Sequence, residues 1–252
     1  MIRPVLPSPP ALPPPAPPPG GPLAPAALPP LTGVLPEPSA LRPARPELWL
    51  VATEVHQEAV GRYGSLVLDG TELARAEEFR RPADRATYLC AHAGLRRLLG
   101  ARLGIAPRAV SVARAPCPCC GEPHGRPVLP GGRLHFSLSH CEGLSLIALA
   151  STPVGVDIER VPPPHTAEEA EEVLHPAESA ELAVLAPARR PGAFTRVWTR
   201  KEAYLKGLGT GLGADPSADY VGAGPVPAAP AGWFLADVLV PDGHRAAVAV
   251  RL

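Results

Sequence analysis

Net charge is the first thing this sequence lacks. Its 252 residues carry 24 lysine and arginine side chains against 24 aspartate and glutamate side chains, so the formal charge is zero. A balanced charge predicts neither a nucleic-acid nor a membrane partner, and any charge effects must come from local clusters. No apolar run reaches the ~20 residues of a membrane helix. Proline interrupts every apolar run near the start, which argues against a secretory signal.

A disulfide framework is also missing. The five cysteines are odd in number and unevenly spaced: Cys90, Cys117, Cys119, Cys120 and Cys141. We therefore expect a reducing, cytoplasmic setting. The cluster at 117–120 lacks the paired C-x2-C frame of a zinc site, although Cys117, Cys120, His124 and Cys141 could be combined into one. We interpret the cluster as part of a loop on the substrate side.

Proline, by contrast, is abundant, and 18 of the 37 prolines fall within residues 1–46. Because proline lacks an N–H and fixes φ, this tail is predicted to be disordered and partly polyproline II. The alternative is a ligand for a proline-recognising domain. Order is predicted to begin at Glu47.

Beyond the tail, hydrophobic periodicity predicts an α+β fold. The expected elements are a strand at 47–55, helical segments within 71–103, an antiparallel meander of strands at 133–140, 144–151 and 154–161, helices at 166–185 and 194–209, and a hairpin turning at 241–243. This order indicates two similar halves, 47–153 and 154–252, related by a pseudo-two-fold axis.

Two carboxylates stand out in the segment VGVDIER. On a strand, Asp157 and Glu159 project from the same face. Adjacent carboxylates repel each other unless solvent or a cation relieves them, and Mg²⁺ favours such oxygen ligands. The alternative is a solvated strand face.

A second pattern lies in WTRKEAYLKGLG. On a helix, Trp198, Glu202 and Lys206 share one stripe at i, i+4 and i+8. Glu202 could complete a metal site, and Lys206 could neutralise phosphate charge or protonate a leaving oxygen. The alternative is an ordinary Glu–Lys pair worth only ~0.2–0.5 kcal/mol.

The third pattern is HFSLSH. Alternation along a strand places Ser137 and Ser139 on one face, with His140 at the strand end. Ser139 and His140 could contact phosphate, or they could serve as capping groups.

Together these motifs resemble a known family. SLSH (137–140), VGVDIE (154–159) and F-x3-W-T-x-K-E-A-Y-x-K-G-x-G (194–209) occur in the order typical of the Sfp-type 4′-phosphopantetheinyl transferases, including actinobacterial members. The resemblance covers roughly residues 47–250. The length is similar to the monomeric, two-half Sfp type rather than to the short trimeric holo-acyl-carrier synthases.

The resemblance implies an α+β enzyme that binds coenzyme A between two halves. Such an enzyme transfers the 4′-phosphopantetheine arm to a serine of an apo acyl or peptidyl carrier protein and releases 3′,5′-ADP. Asp157, Glu159 and Glu202 are the implied ligands of Mg²⁺, with Mn²⁺ as an alternative. Glu202 and Lys206 are the implied catalytic residues, since Glu202 would help deprotonate the carrier serine.

The resemblance also implies contacts with coenzyme A. These map onto Lys201, Lys206, Ser139, His140 and the loop Gly125-Arg126-Pro127, where the family has G-K-P. The family's R-x-R helix motif is incomplete, because only Arg85 of the pair is present. Arg85 is therefore the implied 3′-phosphate contact, with Arg81 as a substitute, and Arg96 has either a family or a structural role.

Two other classes of function remain open at this point. A metal-dependent phosphoesterase or nuclease could use the same carboxylates, but it predicts a basic groove. A coenzyme A- or carrier-binding protein without catalysis predicts a broken carboxylate set. The acidic run at 168–172 is expected to be a solvated helix face, and Glu178 to have a structural or docking role. The composition, which suggests a GC-rich genome, favours secondary metabolism.

Overall fold

The computed structural model describes residues 21–123, 125–132, 134–164 and 173–252 of the chain. The helices are α1 (Thr53–Tyr63), α2 (Gly70–Glu77), α3 (Pro82–Leu103), α4 (Pro176–Ala183) and α5 (Arg190–Leu208). The strands are β1 (Ala26–Ala27), β2 (Glu47–Ala52), β3 (Ala113–Arg114), β4 (Pro127–Val128), β5 (His135–Cys141), β6 (Leu144–Ala150), β7 (Val154–Arg160), β8 (Trp233–Asp237) and β9 (His244–Arg251). None of the described helices is both long and apolar enough to cross a bilayer.

The strands form two main sheets and a small ribbon. The first sheet has the order β1-β2-β6-β5, the second has the order β7-β9-β8, and β3 pairs with β4 in the ribbon. Helix α3 packs against the first sheet and α5 against the second. The α+β class is therefore confirmed, whereas the pseudo-two-fold relation stays a prediction.

The predicted three-strand meander is wrong in its last member. β5 and β6 pair as expected, but β7 leaves that sheet and pairs with β9, in the register Val154↔Val250. The edge strands β5 and β7 meet through side chains instead, since the Val156 N–H donates to Ser137 Oγ at 3.0 Å. An apolar run predicts a buried strand but does not specify its partner.

The two sheets share an apolar layer. Leu48 and Leu146 of the first sheet lie in one cluster with Val156, Ile158 and Val248 of the second. Alternation along β7 turns Val156 and Ile158 into this layer and leaves Gly155, Asp157 and Glu159 on the opposite face. The shared layer thus orients the carboxylates towards α5.

The proline-rich segment is not disordered over residues 21–46. β1 pairs in parallel with β2, and the Leu28 N–H donates to Leu50 O at 2.9 Å. Farther back, the Leu23 N–H donates to Asp237 O at 2.8 Å, so the segment contacts both sheets. Proline is tolerated on a sheet edge because an edge strand needs only part of its hydrogen bonds. Residues 1–20 of the predicted tail lie outside the described residues.

Buried side chains hold this segment in place. Leu28 is 3% exposed, in the same apolar cluster as Trp49, Val51 and Ile147. The Arg97 guanidinium donates to Pro29 O and Gly33 O, both at 2.8 Å. These anchors contradict the prediction that order begins at Glu47.

Leu28→Ala is expected to lower the free energy of unfolding by about 2–4 kcal/mol, because it removes a buried side chain and leaves a cavity. Val34→Ala in the same segment is the control: Val34 is 90% exposed, and its loss should cost less than about 0.5 kcal/mol. Urea titration measures both values. Equal effects would show that the segment does not pack on the core in solution.

Candidate active site

The close approach of α5 to β7 builds the site. A Cβ atom on Gly155 would lie 2.0 Å from Ala203 O and 2.4 Å from Gly207 N, so the helix backbone rests directly on the strand. Only glycine permits this approach. It brings the carboxylates of β7 next to Glu202 and Lys206 on α5, the grouping that the family resemblance implies.

Asp157 is the best-defined group of the site. It is 1% exposed, and its Oδ1 accepts hydrogen bonds from Ser139 Oγ at 2.8 Å and from Lys206 Nζ at 2.5 Å. Its Oδ2 is buried and has no hydrogen-bond partner among the described residues. An unpaired buried carboxylate oxygen is costly, and a bound cation would remove that cost.

The charge of Asp157 also acts on the other two carboxylates of the site, Glu159 and Glu202. Burial and then the Asp157 charge raise the pKa of Glu159 to about 7, with a smaller contribution from Glu202 and opposition from Lys206. Burial also raises the pKa of Glu202, opposed by Lys206 and reinforced by Asp157. Carboxylates that hinder one another's ionisation are typical of a cation site.

These residues fit a divalent cation such as Mg²⁺. Within the described ranges, no three carboxylate, histidine or cysteine side chains already converge as a ligand set. Mg²⁺ does not require such a set, because it binds one or two carboxylates and completes its shell with water and substrate phosphate. Asp157 Oδ2 is the buried acceptor that such an ion would use.

A cavity of about 620 Å³ opens beside Lys206, between the end of α5 on one side and α3, β5 and the β3–β4 ribbon on the other. Its lining includes residues that the motifs predict, before and in β4, on β5 and near the end of α5: Gly125, Arg126, Pro127, His140 and Lys206. The acidic Asp69 and Glu72 also line it. Arg126 Nη1 donates to Gly207 O at 2.9 Å, which ties the loop to α5. Partial burial, and then the His92 and Lys206 charges, lower the pKa of His140.

Ser139 does not reach this cavity. It is buried, and its hydroxyl bridges Asp157 and Lys206, which donates to Ser139 Oγ at 3.2 Å. Ser139 therefore positions Asp157 and Lys206 relative to each other, and the contact with coenzyme A that the resemblance implies for it stays a prediction.

Lys201 departs from the prediction. Its ammonium is 2% exposed and pairs with Glu178 Oε2 at 2.8 Å and Asp219 O at 2.7 Å, away from the cavity. Glu178 is itself fully buried and accepts the Val221 N–H at 2.7 Å. The two motif lysines are five positions apart, so they project from different faces of α5.

Arg85 and Arg81 lie outside the cavity lining as well. Arg85 pairs at the surface with Glu77, its side chain 43% exposed, and Arg81 is exposed where α3 begins. Arg96 does line the cavity, but its guanidinium binds Asp69 and Glu72 and donates to three backbone carbonyls, those of Pro107, Arg108 and Val110, so it has a structural role.

Sequence reasoning missed Arg114 and His92, which do line the cavity. Arg114 is paired with Pro127 across the β3–β4 ribbon, and its Nη1 donates to Gly125 O at 3.2 Å. No sequence motif marks the pairing of 113–114 with 127–128, so local spacing does not identify Arg114.

The cysteine cluster occupies the tip of this ribbon. Cys117 is buried, and Cys119 Sγ lies 3.8 Å from the position that a Cβ on Gly213 would take. Gly213 belongs to the turn that follows α5, so the tip lies on the cavity side of the molecule. His124, the other residue of the zinc alternative, falls outside the described residues.

Comparison with known proteins agrees with this geometry. Residues 153–223 match the model of the 4′-phosphopantetheinyl transferase superfamily. The chain is 33% identical over 227 residues to the 4′-phosphopantetheinyl transferase HetI of Nostoc, covering 82% of this chain and 92% of that protein. It is 29% identical over 187 residues to a phosphopantetheinyl transferase of Thraustochytrium, with coverage of 68% and 63%.

A shorter match of 92 residues, 29% identical, joins it to the 4′-phosphopantetheinyl transferase Sfp of Bacillus subtilis, covering 36% of this chain and 41% of that protein. The matched segment 153–223 contains Asp157, Glu159, Glu202 and Lys206, the same groups that the fold brings together. With this site and near full-length similarity to HetI, the chain belongs to the 4′-phosphopantetheinyl transferase superfamily.

Proposed function

We propose that this transferase splits coenzyme A and moves its 4′-phosphopantetheine arm onto a serine of an apo-carrier protein. The observation that supports this proposal best is the group Asp157, Glu159, Glu202 and Lys206, of which Lys206 lines the cavity of about 620 Å³. The serine oxygen bonds to the phosphorus next to pantetheine, the bridging oxygen of the pyrophosphate leaves, and 3′,5′-ADP is released.

Asp157, Glu159 and Glu202 would hold the divalent metal, which we take to be Mg²⁺, with Mn²⁺ as the alternative. Such an ion supplies positive charge against the pyrophosphate. The buried, unpartnered Asp157 Oδ2 supports this assignment.

Glu202 is the proposed acceptor of the serine proton, directly or through a water molecule. Burial raises its pKa, which makes it a better base near neutral pH than an exposed glutamate. Lys206 would neutralise or protonate the departing oxygen. Its ammonium is held by Asp157 and Ser139, and its side chain is 31% exposed and lines the cavity, so it can meet a substrate.

Contacts with coenzyme A are proposed for the cavity groups. Arg126 and His140 would bind its phosphates, with His140 at the 3′-phosphate. Arg114 would supply the basic side chain that the incomplete R-x-R motif lacks, because it lies on the same wall as Arg126.

Arg114→Gln is expected to raise KM for coenzyme A about tenfold while leaving kcat nearly unchanged, because one charge-assisted bond to phosphate is lost. Arg85→Gln, which removes the same charge from a surface pair with Glu77, should change KM less than twofold. Steady-state kinetics on both variants decides the assignment. The reverse pattern would place Arg85, not Arg114, at the phosphate.

Mass spectrometry of a carrier protein tests the function itself. The chain, coenzyme A, Mg²⁺ and an apo-carrier should yield a carrier heavier by one phosphopantetheine arm. No mass gain with any member of a panel of acyl and peptidyl carriers would overturn the proposal. A chain that instead hydrolysed coenzyme A without a carrier would support the phosphoesterase alternative.

The same panel of carrier proteins also tests which type of pathway the enzyme serves. We propose a monomeric cytoplasmic enzyme of secondary metabolism, so polyketide and peptide carriers should give higher kcat/KM than a fatty-acid carrier. Size-exclusion chromatography measures the oligomeric state.

A further inference from the structure

A second cavity, of about 680 Å³, lies at the start of α5, at the opposite end of the helix from Lys206. Its walls are the first turns of α5, the start of β9, and two loops at 161–164 and 223–225. It shares no lining residue with the cavity beside Lys206. The charged side chains of the wall are Arg189, Arg196 and Arg245, and none of the described lining residues is acidic.

These arginines lack adequate counter-charge within the described ranges. Arg196 Nε lies 3.8 Å from Asp237 Oδ2. Arg245 is the cross-strand neighbour of Glu159, with which no ion pair forms among the described residues. Both oxygens of Asp237 already bind Arg200, at 2.7 Å each. Burial lowers the pKa of Arg196; Asp237 opposes this lowering, and Arg200, Arg245 and Arg189 add to it. The cavity therefore concentrates positive charge in a chain of zero formal charge.

The N-terminus of α5 adds to this charge. A Cβ on Gly192 would lie 3.3 Å from Arg245 Nη2, so the guanidinium rests against the first turn of the helix. That turn has no acidic residue, and Arg189 at the N-cap makes no capping bond. Because the start of a helix carries about half a positive charge, a cation placed there is unfavourable unless an anion lies between them.

We propose that this cavity binds a small molecule bearing a multiply charged oxyanion, of the phosphate or polycarboxylate class. Arg189, Arg196 and Arg245 would hold the oxyanion at the start of α5. Guanidinium groups match the planar and bidentate geometry of such anions. The volume falls within the range of small-molecule sites, about 300–1,000 Å³, and exceeds what a single ion needs.

Isothermal titration with pyrophosphate, and separately with citrate, tests the site and distinguishes the two classes. Arg189→Gln/Arg245→Gln is expected to weaken binding of the preferred anion about tenfold or more, since charge-assisted bonds are lost. The matched control Arg62→Gln/Arg75→Gln removes two equally charged side chains from exposed surface pairs with Glu58 and Glu78. The control should change the affinity less than twofold. An anion bound in the other cavity, near Asp157, should have the same affinity for the Arg189→Gln/Arg245→Gln variant and for the control, because neither variant changes that cavity.

The unliganded double variant should also melt at the same temperature as the wild type or higher, because like charges are removed from the helix start. A purely structural role would lower its Tm. If the double variant does not fold, Arg189→Gln alone serves, since Arg189 is exposed.

Absence of pyrophosphate and citrate binding by the wild type, or equal affinity in the double variant and the control, would overturn the proposal. The acidic run at 168–172 follows this wall in sequence and lies outside the described residues. Binding that occurs only after Glu168, Glu169, Glu171 and Glu172 are changed to Gln would identify that run as the arginines' partner. That result would also overturn the proposal that the cavity binds an external ligand.

Discussion

Glu202→Gln is expected to reduce phosphopantetheine transfer by about 10²–10⁴-fold, the range associated with loss of a general base. The amide has the shape of the carboxylate but cannot accept the serine proton, and it is a poorer ligand for a divalent cation. Burial raises the pKa of Glu202, whereas the charge of Lys206, 4.0 Å away, lowers it. The rate is measured as holo-carrier formed per unit time by mass spectrometry.

Stability separates this effect from misfolding. Because burial disfavours the ionised form of Glu202, the neutral amide should leave the free energy of unfolding unchanged or slightly higher. Glu58→Gln is the matched control, since Glu58 forms the same i,i+4 type of pair with Arg62 on exposed α1. It should retain full activity. A fully active, folded Glu202→Gln protein would remove Glu202 from the mechanism.

Gly155→Ala is expected to lower the free energy of unfolding by about 3 kcal/mol, the upper part of the range for overpacking. The added methyl group would lie 2.0 Å from the Ala203 carbonyl oxygen, which belongs to the helix backbone and cannot rotate away. α5 must therefore move off β7. A shift of about 1 Å in catalytic groups can cost about 10²-fold in rate, so transfer should fall even in the fraction that folds.

Gly61→Ala is the control for this substitution. Gly61 lies in α1, and a Cβ there would have no neighbour within 4 Å. Alanine at such a helix position should stabilise the protein by about 0.4–1 kcal/mol. Thermal and urea unfolding measure both variants. If Gly155→Ala behaves like Gly61→Ala, the contact between α5 and β7 is looser in solution than in the structure.

Local spacing predicts the side chains at the centre of the site, because the face on which each one lies depends only on the periodicity of its own strand or helix. A strand places Asp157 and Glu159 on one face whatever its partner, and a helix places Glu202 and Lys206 on one stripe wherever it packs. The α+β class followed from the same periodicities. The C-terminal hairpin also follows: β8 and β9 pair in antiparallel fashion, with Asp242-Gly243 in the connecting turn.

Predictions that depended on which surfaces meet were less successful. The meander prediction places β7 in the wrong sheet, because apolar content does not choose between β6 and β9 as its partner. Disorder was predicted through residue 46 from proline content, although Leu28 and the Arg97 guanidinium anchor part of that segment. Among the basic residues, Arg85 points to a surface pair and Arg114 reaches the cavity across a ribbon that no motif marks.

By itself the sequence determined the α+β class, the chemistry of the carboxylate and lysine group, and the resemblance to phosphopantetheinyl transferases. The first two depend on residue type and on short spacings within one element, and the resemblance depends on the order of three motifs along the chain. Only the tertiary structure separated Lys206, which meets Asp157, from Lys201, which is buried against Glu178. It alone placed Arg114 at one cavity and gathered Arg189, Arg196 and Arg245 around another. Contacts between distant segments depend on packing and on close backbone approaches such as that at Gly155, which local periodicity does not encode.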